Sequence, residues 1–155
     1  MPTRTALLTR TRTLCQNFST SAPLPTLLSN FTHEPPPTAL EHGLPQLAPF
    51  LGRPFTGQEG IQRYFGLLAE LLTIEKMEFE PEEKWVVDER AMAVSLRGEG
   101  RFRWNETGQA WDETFAYRIG LVKEEEEDGE VKVVDYEVWA DTGAAYLARV
   151  GGLIS

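Results

Sequence analysis

The fold is decided near the carboxyl end of the chain, in residues 135–151, DYEVWADTGAAYLARVG. The first part of this stretch alternates between apolar and polar residues, as a β-strand with one buried face does. Trp139 and Asp141 stand at the end of that strand, before a short apolar segment. An acid beside an indole at the mouth of a sheet is a position where a pocket could carry chemistry. We expect the rest of the chain to form the walls of such a pocket.

Composition sets the broad class of the protein. A chain of 155 residues is typical of one domain, and we predict a single domain over residues 1–155. The formal net charge of −9 repels phosphate backbones, so nucleic acid is not expected as a partner. Cys15 is the only cysteine, which excludes an intrachain disulfide and favours a reducing compartment, the cytoplasm. No apolar run approaches the roughly 20 residues of a membrane-spanning helix, so no membrane partner is expected.

Residues 1–22 have two interpretations. They contain three arginines, many Ser and Thr residues and no acid, which resembles a mitochondrial targeting segment. Leu7, Leu14 and Phe18, with Cys15, also form one stripe at helical spacing. We predict a first helix over residues 4–18 and keep the targeting segment, and with it a mitochondrial location, as the alternative.

Two further helices and a short strand are predicted before residue 74. The apolar residues of 24–31 share one side of a short helix, and residues 38–44 fit a short strand. Residues 56–59, TGQE, match a capping box, in which a Thr hydroxyl and a Glu carboxylate satisfy the first free amides of a helix. The broad apolar stripe over residues 61–72 predicts that this helix is buried.

Long strands are predicted for the second half of the chain. Apolar and polar residues alternate over 92–104, 111–121 and 131–140. Gly98 and Gly100 fall on the apolar side, which suits a bend or a space left for another group. Helices followed by an antiparallel meander predict an α+β fold, with the N-terminal helices packed on one side of the sheet.

Two stretches resemble the SnoaL-like branch of the nuclear transport factor 2-like superfamily. Residues 55–65, FTGQEGIQRYF, are similar to the start of that branch's long helix, and residues 139–151 to its terminal aromatic-x-Asp, Leu and Gly pattern. The resemblance implies a cone-shaped α+β barrel, in which a strongly curved sheet wraps the helix around a pocket. The superfamily includes polyketide cyclases, steroid isomerases, dehydratases and non-catalytic binders, so the resemblance does not imply one function. Residues 41–43, EHG, are also similar to small fungal cofactor-free isomerases of terpenoid biosynthesis.

Acid–base chemistry without a cofactor is the chemistry that the motifs leave. The sequence has no dinucleotide-binding, phosphate-loop or nucleophile-elbow motif, and its two histidines do not fit a tight metal site. We therefore expect no cofactor and no metal. The SnoaL-like branch often uses an acid at the position of Asp141, and the aromatic residues Trp104, Tyr117 and Trp139 could raise its pKa. Asp141 is equally well placed to cap the segment that follows it.

The short strand supplies a second candidate. Glu41 and His42 point to opposite faces of a strand, so only one of them enters the pocket. If Leu40 and Leu44 mark the inside, His42 enters and could shuttle protons; in the reverse register Glu41 is the acid of interest. Tyr64 could donate its hydroxyl to a developing oxyanion, or could be a core aromatic with its hydroxyl at the rim.

The remaining candidates would bind substrate rather than react with it. We expect the pocket walls to include Trp104, Trp111, Tyr117, Trp139 and Phe65, and Arg53 to meet an anionic group of a ligand if it is not simply solvated. In the fold that the sequence resembles, the outer face of the strand carrying Arg97, Arg101 and Arg103 often pairs two subunits, so a homodimer is expected.

The function predicted from these residues is a cofactor-independent enzyme, an isomerase, cyclase or dehydratase, acting on a small apolar oxygenated metabolite. The alternatives are a non-catalytic small-molecule binding protein of the same fold and a dimeric scaffold.

Overall fold

Helices dominate the first half of the chain. A computed structural model describes residues 2–124 and 129–154 of the protein. Helix α1 covers Arg4–Ser19, and its stripe of Leu7, Leu14, Cys15 and Phe18 is buried, which confirms the predicted helical periodicity. Helix α2 covers Leu24–Leu28. Within the described ranges, no helix is long and apolar enough to cross a membrane.

Helix α3 covers Gly57–Leu71 and buries Ile61, Tyr64 and Phe65. The predicted capping box is not formed, because the Thr56 side chain makes no capping hydrogen bond. Thr56 lies in a two-residue strand whose pairing with the strand at Thr38 fixes its backbone, and its side chain is exposed.

Seven strands form one sheet in the part of the chain that the structure describes. They are β1 (Thr38–His42), β2 (Phe55–Thr56), β3 (Leu72–Phe79), β4 (Val86–Asp88), β5 (Ala93–Trp104), β6 (Ala110–Lys123) and β7 (Val131–Trp139). Their order is β2-β1-β7-β6-β5-β3, with β4 also paired to β5. The β1–β7 pair is parallel and the others are antiparallel. The predicted antiparallel meander is therefore extended by one parallel strand, since β1 and β7 are too distant in the chain for a hairpin to set their direction.

The sheet is strongly curved and unclosed, which confirms the α+β cone. β-Bulges, which bend a sheet, lie between Ile74 and Lys76 in β3 and between Gly120 and Leu121 in β6. Helices α1 and α3 contact the sheet, and helix α4 (Thr142–Arg149) contacts β5 and β6. A cavity lies between the helices and the sheet.

Two glycines of β5 make room for aromatic rings inside the cone. A Cβ atom on Gly98 would lie 2.5 Å from the Phe115 ring, and one on Gly100 would lie 2.6 Å from the Phe102 ring. Both rings line the cavity. The predicted space beside the two glycines is thus occupied by Phe115 and Phe102.

Candidate active site

The cavity has a volume of about 450 Å³ and is bounded by α1, α3, α4 and the inner face of the sheet. Aromatic and aliphatic side chains form most of its wall, among them Phe18, Phe50, Phe65, Met77, Phe102 and Phe115. The acidic and phenolic side chains that reach it are Glu41, Tyr64, Glu113, Tyr117, Tyr136 and Asp141. Exposed lining residues, such as Ile74, mark where the cavity meets solvent.

Glu41 is the acid that β1 points into the cavity. Ala39 and Glu41 are the buried residues of this strand, and Glu41 pairs with Val138 of β7, which also lines the cavity. Glu41 is 8% exposed, and its Oε1 accepts a hydrogen bond of 2.6 Å from the Tyr64 hydroxyl of α3. A buried carboxyl is thus fixed in orientation by one phenol.

Its surroundings give Glu41 an unusual pKa. Burial, which disfavours the charged form, is the main cause that raises the pKa of Glu41 from 4.5 to about 7. The negative charge of Glu113 raises it as well, whereas the hydrogen bond from Tyr64 lowers it. A carboxyl with a pKa near neutral pH can both accept and donate a proton efficiently.

Glu113 is a second carboxyl in the same cavity. It lies on β6 opposite Gly100, and its Oε1 accepts a hydrogen bond of 2.6 Å from Trp111 Nε1. Burial is the main cause that raises the pKa of Glu113, and the charge of Asp141 raises it further. The Trp111 indole and the backbone of Asp141 oppose this shift. Glu41 and Glu113, the two carboxyls with a raised pKa, interact, because a negative charge on one disfavours ionisation of the other.

Asp141 is exposed at the rim of the cavity and caps α4. Its Oδ1 accepts a hydrogen bond of 3.0 Å from the backbone amide of Ala144. The capping interpretation of Asp141 is confirmed, and a chemical role for the same side chain stays a prediction.

His42 lies on the outer face of the sheet, not in the cavity. Its ring stacks on the ring of Trp139 with centroids 4.4 Å apart and an angle of 6° between the planes. Its Nε2 lies 3.4 Å from Oε2 of Glu137. The interpretation that Leu40 and Leu44 mark the inside is corrected, because Leu44 is exposed and the alternation of β1 turns Glu41 inward.

Comparison with solved structures shows the fold. Neither a family model nor a curated protein sequence matches the chain. A nuclear transport factor 2-like protein from Burkholderia xenovorans superposes with a TM-score of 0.68 and 14% identity, covering 94% of this chain and 97% of that one. This chain has the nuclear transport factor 2-like fold.

Two further structures share the nuclear transport factor 2-like fold with this chain. A ketosteroid isomerase-like protein from Erwinia carotovora atroseptica has a TM-score of 0.64 and 13% identity, over 88% of this chain and 94% of that one. The BvnE pinacolase from Penicillium brevicompactum has a TM-score of 0.64 and 15% identity, over 96% of this chain and 93% of that one. At such identities the likeness establishes the fold and leaves the chemistry to the residues of the site.

The nuclear transport factor 2-like cone brings some of the expected wall residues together and separates others. Phe65, Trp111 and Tyr117 line the cavity. Trp139 is 44% exposed on the outer face beside His42, because it follows the inward-facing Val138 in β7.

Two more expected wall residues lie outside the set that lines the cavity. Trp104 is buried, with its ring centroid 6.3 Å from that of Phe50. Arg53 lies over the Phe55 ring, 4.7 Å from its centroid, and its Nε donates to the Pro49 carbonyl. Its place in the fold therefore does not fit the expected contact with a ligand in this cavity.

Sequence reasoning missed two residues of the site, Glu113 and Tyr136. Glu113 lies two residues from Trp111 and from Phe115 and so shares their face of β6, which the sequence alone could have shown. Tyr136 shares the inward face of β7 with Val138 in the same way, and its ring centroid lies 5.1 Å from that of Tyr117. Burial is the main cause that raises the pKa of both Tyr117 and Tyr136.

The outward arginines of β5 make ion pairs within the chain. Arg101 contacts Glu75 and Asp112, and Arg103 also contacts Glu75. The homodimer expected through this face stays a prediction.

Proposed function

We propose that this protein is a cofactor-independent acid–base enzyme of the isomerase type, acting on a small apolar oxygenated metabolite. The observation that carries the proposal is Glu41, a buried carboxyl with a pKa of about 7 that faces a cavity of about 450 Å³. Such a group can transfer protons at neutral pH, and the apolar wall suits a mainly hydrocarbon ligand.

In the proposed reaction Glu41 acts first as a base. Its carboxylate removes a proton from the carbon that lies between the carbonyl group and the double bond of a β,γ-unsaturated ketone, and the electron pair of the broken C–H bond forms a dienolate with its negative charge on the carbonyl oxygen. The carboxylic acid then returns the proton to the γ carbon, which moves the double bond next to the carbonyl group and regenerates the carboxylate. Tyr64 is a positioning residue, because its hydroxyl holds Oε1 of Glu41 at 2.6 Å.

Neutral phenols are the groups that would stabilise the oxygen during this step. Tyr117 and Tyr136 line the cavity, and the pKa of each is raised, so both hydroxyls stay protonated and able to donate at neutral pH. Preorganised donors of this type stabilise a developing oxyanion. Cyclisation and dehydration use the same proton transfers, so the proposal includes them as reaction types.

Solved structures with the same fold support the reaction class. A pinacolase and a ketosteroid isomerase-like protein have the same fold as this chain. The substrate is not implied by either, and we assign it from the cavity alone.

The test is incorporation of solvent deuterium into an apolar ketone. Wild-type protein would be incubated in D₂O with trans-1-decalone, a neutral bicyclic ketone, and exchange of the hydrogens next to the carbonyl would be followed by mass spectrometry. We expect Glu41→Gln to lower the protein-catalysed rate by about 10²–10⁴-fold, the usual contribution of a general base. Glu137→Gln is the matched control, since it removes a carboxylate from the outer face at His42.

Two outcomes would count against the proposal. Full exchange by a correctly folded Glu41→Gln protein would remove Glu41 from the chemistry. A ketone that binds to the wild type and is recovered without deuterium would instead assign the cavity to binding without reaction.

A further inference from the structure

We propose that the cavity rejects a ligand that carries a carboxylate or phosphate, with Glu113 as the residue that sets this preference. The inference rests on the proposed function in one respect, that this cavity is the ligand site. The new element is the charge that a ligand can carry, together with the side chain that determines this preference.

The charges that line the cavity are all of one sign. Its described lining includes three carboxyl groups, those of Glu41, Glu113 and Asp141, and no Lys, Arg or His. Arg53, the expected partner of an anionic group, is directed onto the Phe55 ring, and His42 is stacked on Trp139, so neither reaches the lining. An anionic group inside the cavity would meet like charges without a basic side chain in the described lining, and beside the buried Glu41 solvent screens poorly.

Two hydrogen-bond donors of the cavity wall are already engaged. The Trp111 indole N–H donates to Glu113, and the Tyr64 hydroxyl donates to Glu41. The phenols of Tyr117 and Tyr136 also line the wall. A neutral ketone or alcohol oxygen is well served by such neutral donors, whereas a full charge transferred from water needs a paired opposite charge.

Glu113 is the best placed of the three acids to read the charge of a ligand. Asp141 is exposed and screened by solvent. Glu41 takes part in the proposed proton transfer and is protonated in part of the molecules near neutral pH. Glu113 is half-buried in the cavity wall, and the hydrogen bond from Trp111 Nε1 holds its carboxylate in place.

Three probes that share one ring system test the charge preference. They are 2-naphthalenemethanol, 2-naphthoate and 2-naphthylmethylammonium, and their dissociation constants would be measured by titration calorimetry at pH 8. We expect the alcohol to bind at least about tenfold more tightly than the carboxylate, an effect typical of an uncompensated charge pair at partial burial. Glu113→Gln keeps an acceptor for Trp111 and is expected to narrow this ratio.

Matched controls separate the cavity from the surface. Asp112→Asn removes the same charge from the neighbouring position, where the side chain is exposed and paired with Arg101, so the ratio should not change. Ala69→Trp adds a ring at an exposed position of the cavity lining, and should weaken binding of the alcohol.

The outcomes distinguish the charge preference from the ligand site itself. Equal affinity for alcohol and carboxylate, binding of the ammonium probe no tighter than that of the carboxylate, or an alcohol-to-carboxylate ratio that Glu113→Gln leaves unchanged would overturn the charge preference alone. The ligand site, and with it the proposed function, would be overturned if none of the three probes binds. The same follows if Ala69→Trp leaves the dissociation constant of the alcohol unchanged.

Discussion

Replacing Glu41 by Gln should change how the free energy of unfolding depends on pH. The pKa of Glu41 is raised from 4.5 to about 7, mainly by burial, so between these values the folded chain holds a proton that the unfolded chain releases. A raised folded-state pKa contributes stability that is fully present below pH 4.5 and is lost as the pH rises through 7. At about 1.4 kcal/mol for each pKa unit, the loss is about 3 kcal/mol.

Urea unfolding of the wild type and of Glu41→Gln from pH 4 to pH 8 measures this term. Ionisable groups shared by the two proteins cancel in the difference, so the stability of the wild type relative to the variant should fall by about 3 kcal/mol as the pH rises. A constant difference for Glu41→Gln would refute the reasoning, since it would mean that Glu41 titrates alike in the folded and unfolded chain.

Three more substitutions test other parts of the account. Asp141→Ala should lower the free energy of unfolding by about 1 kcal/mol through loss of the α4 cap, and Asp141→Asn by less, as measured in urea; equal losses would argue against capping. Gly98→Ala should destabilise the protein by about 1–3 kcal/mol, because the new Cβ would lie 2.5 Å from the Phe115 ring. Gly66→Ala, with open space at its Cβ, is the control and should not destabilise. His42→Ala should leave deuterium exchange unchanged, since His42 lies on the outer face; a loss of exchange in a folded variant would return His42 to the chemistry.

Local patterns were sufficient to predict most of the fold. The alternation over residues 92–104 gave β5 its buried face, and the helical stripe of Leu7, Leu14 and Phe18 is buried in α1. Two features depended on distant parts of the chain. The parallel β1–β7 pair joins residues that no hairpin connects, and the exposed side chain of Thr56 makes no capping hydrogen bond.

The site was harder to predict than the fold, because a period of two gives relative faces and not absolute ones. The sequence places Glu41 and His42 on opposite faces of β1 but does not say which of them faces the cavity. That depends on the pairing of Glu41 with Val138 of β7. Leu44 was misleading, since it is an exposed loop leucine. Glu113 shared the apolar alternation of β6, where a carboxylate is uncommon unless it has a partner, and that partner is the Trp111 indole.

The pH dependence of kcat/KM for deuterium exchange tests whether Glu41 is the proton-transfer group of the cavity. If Glu41 acts as a base with a pKa of about 7, kcat/KM of the wild type should rise with pH through a midpoint near that value. In Glu41→Gln this rise should be absent. A midpoint near 4.5, the ordinary value for Glu, or a rise of the same size in Glu41→Gln, would contradict the assignment.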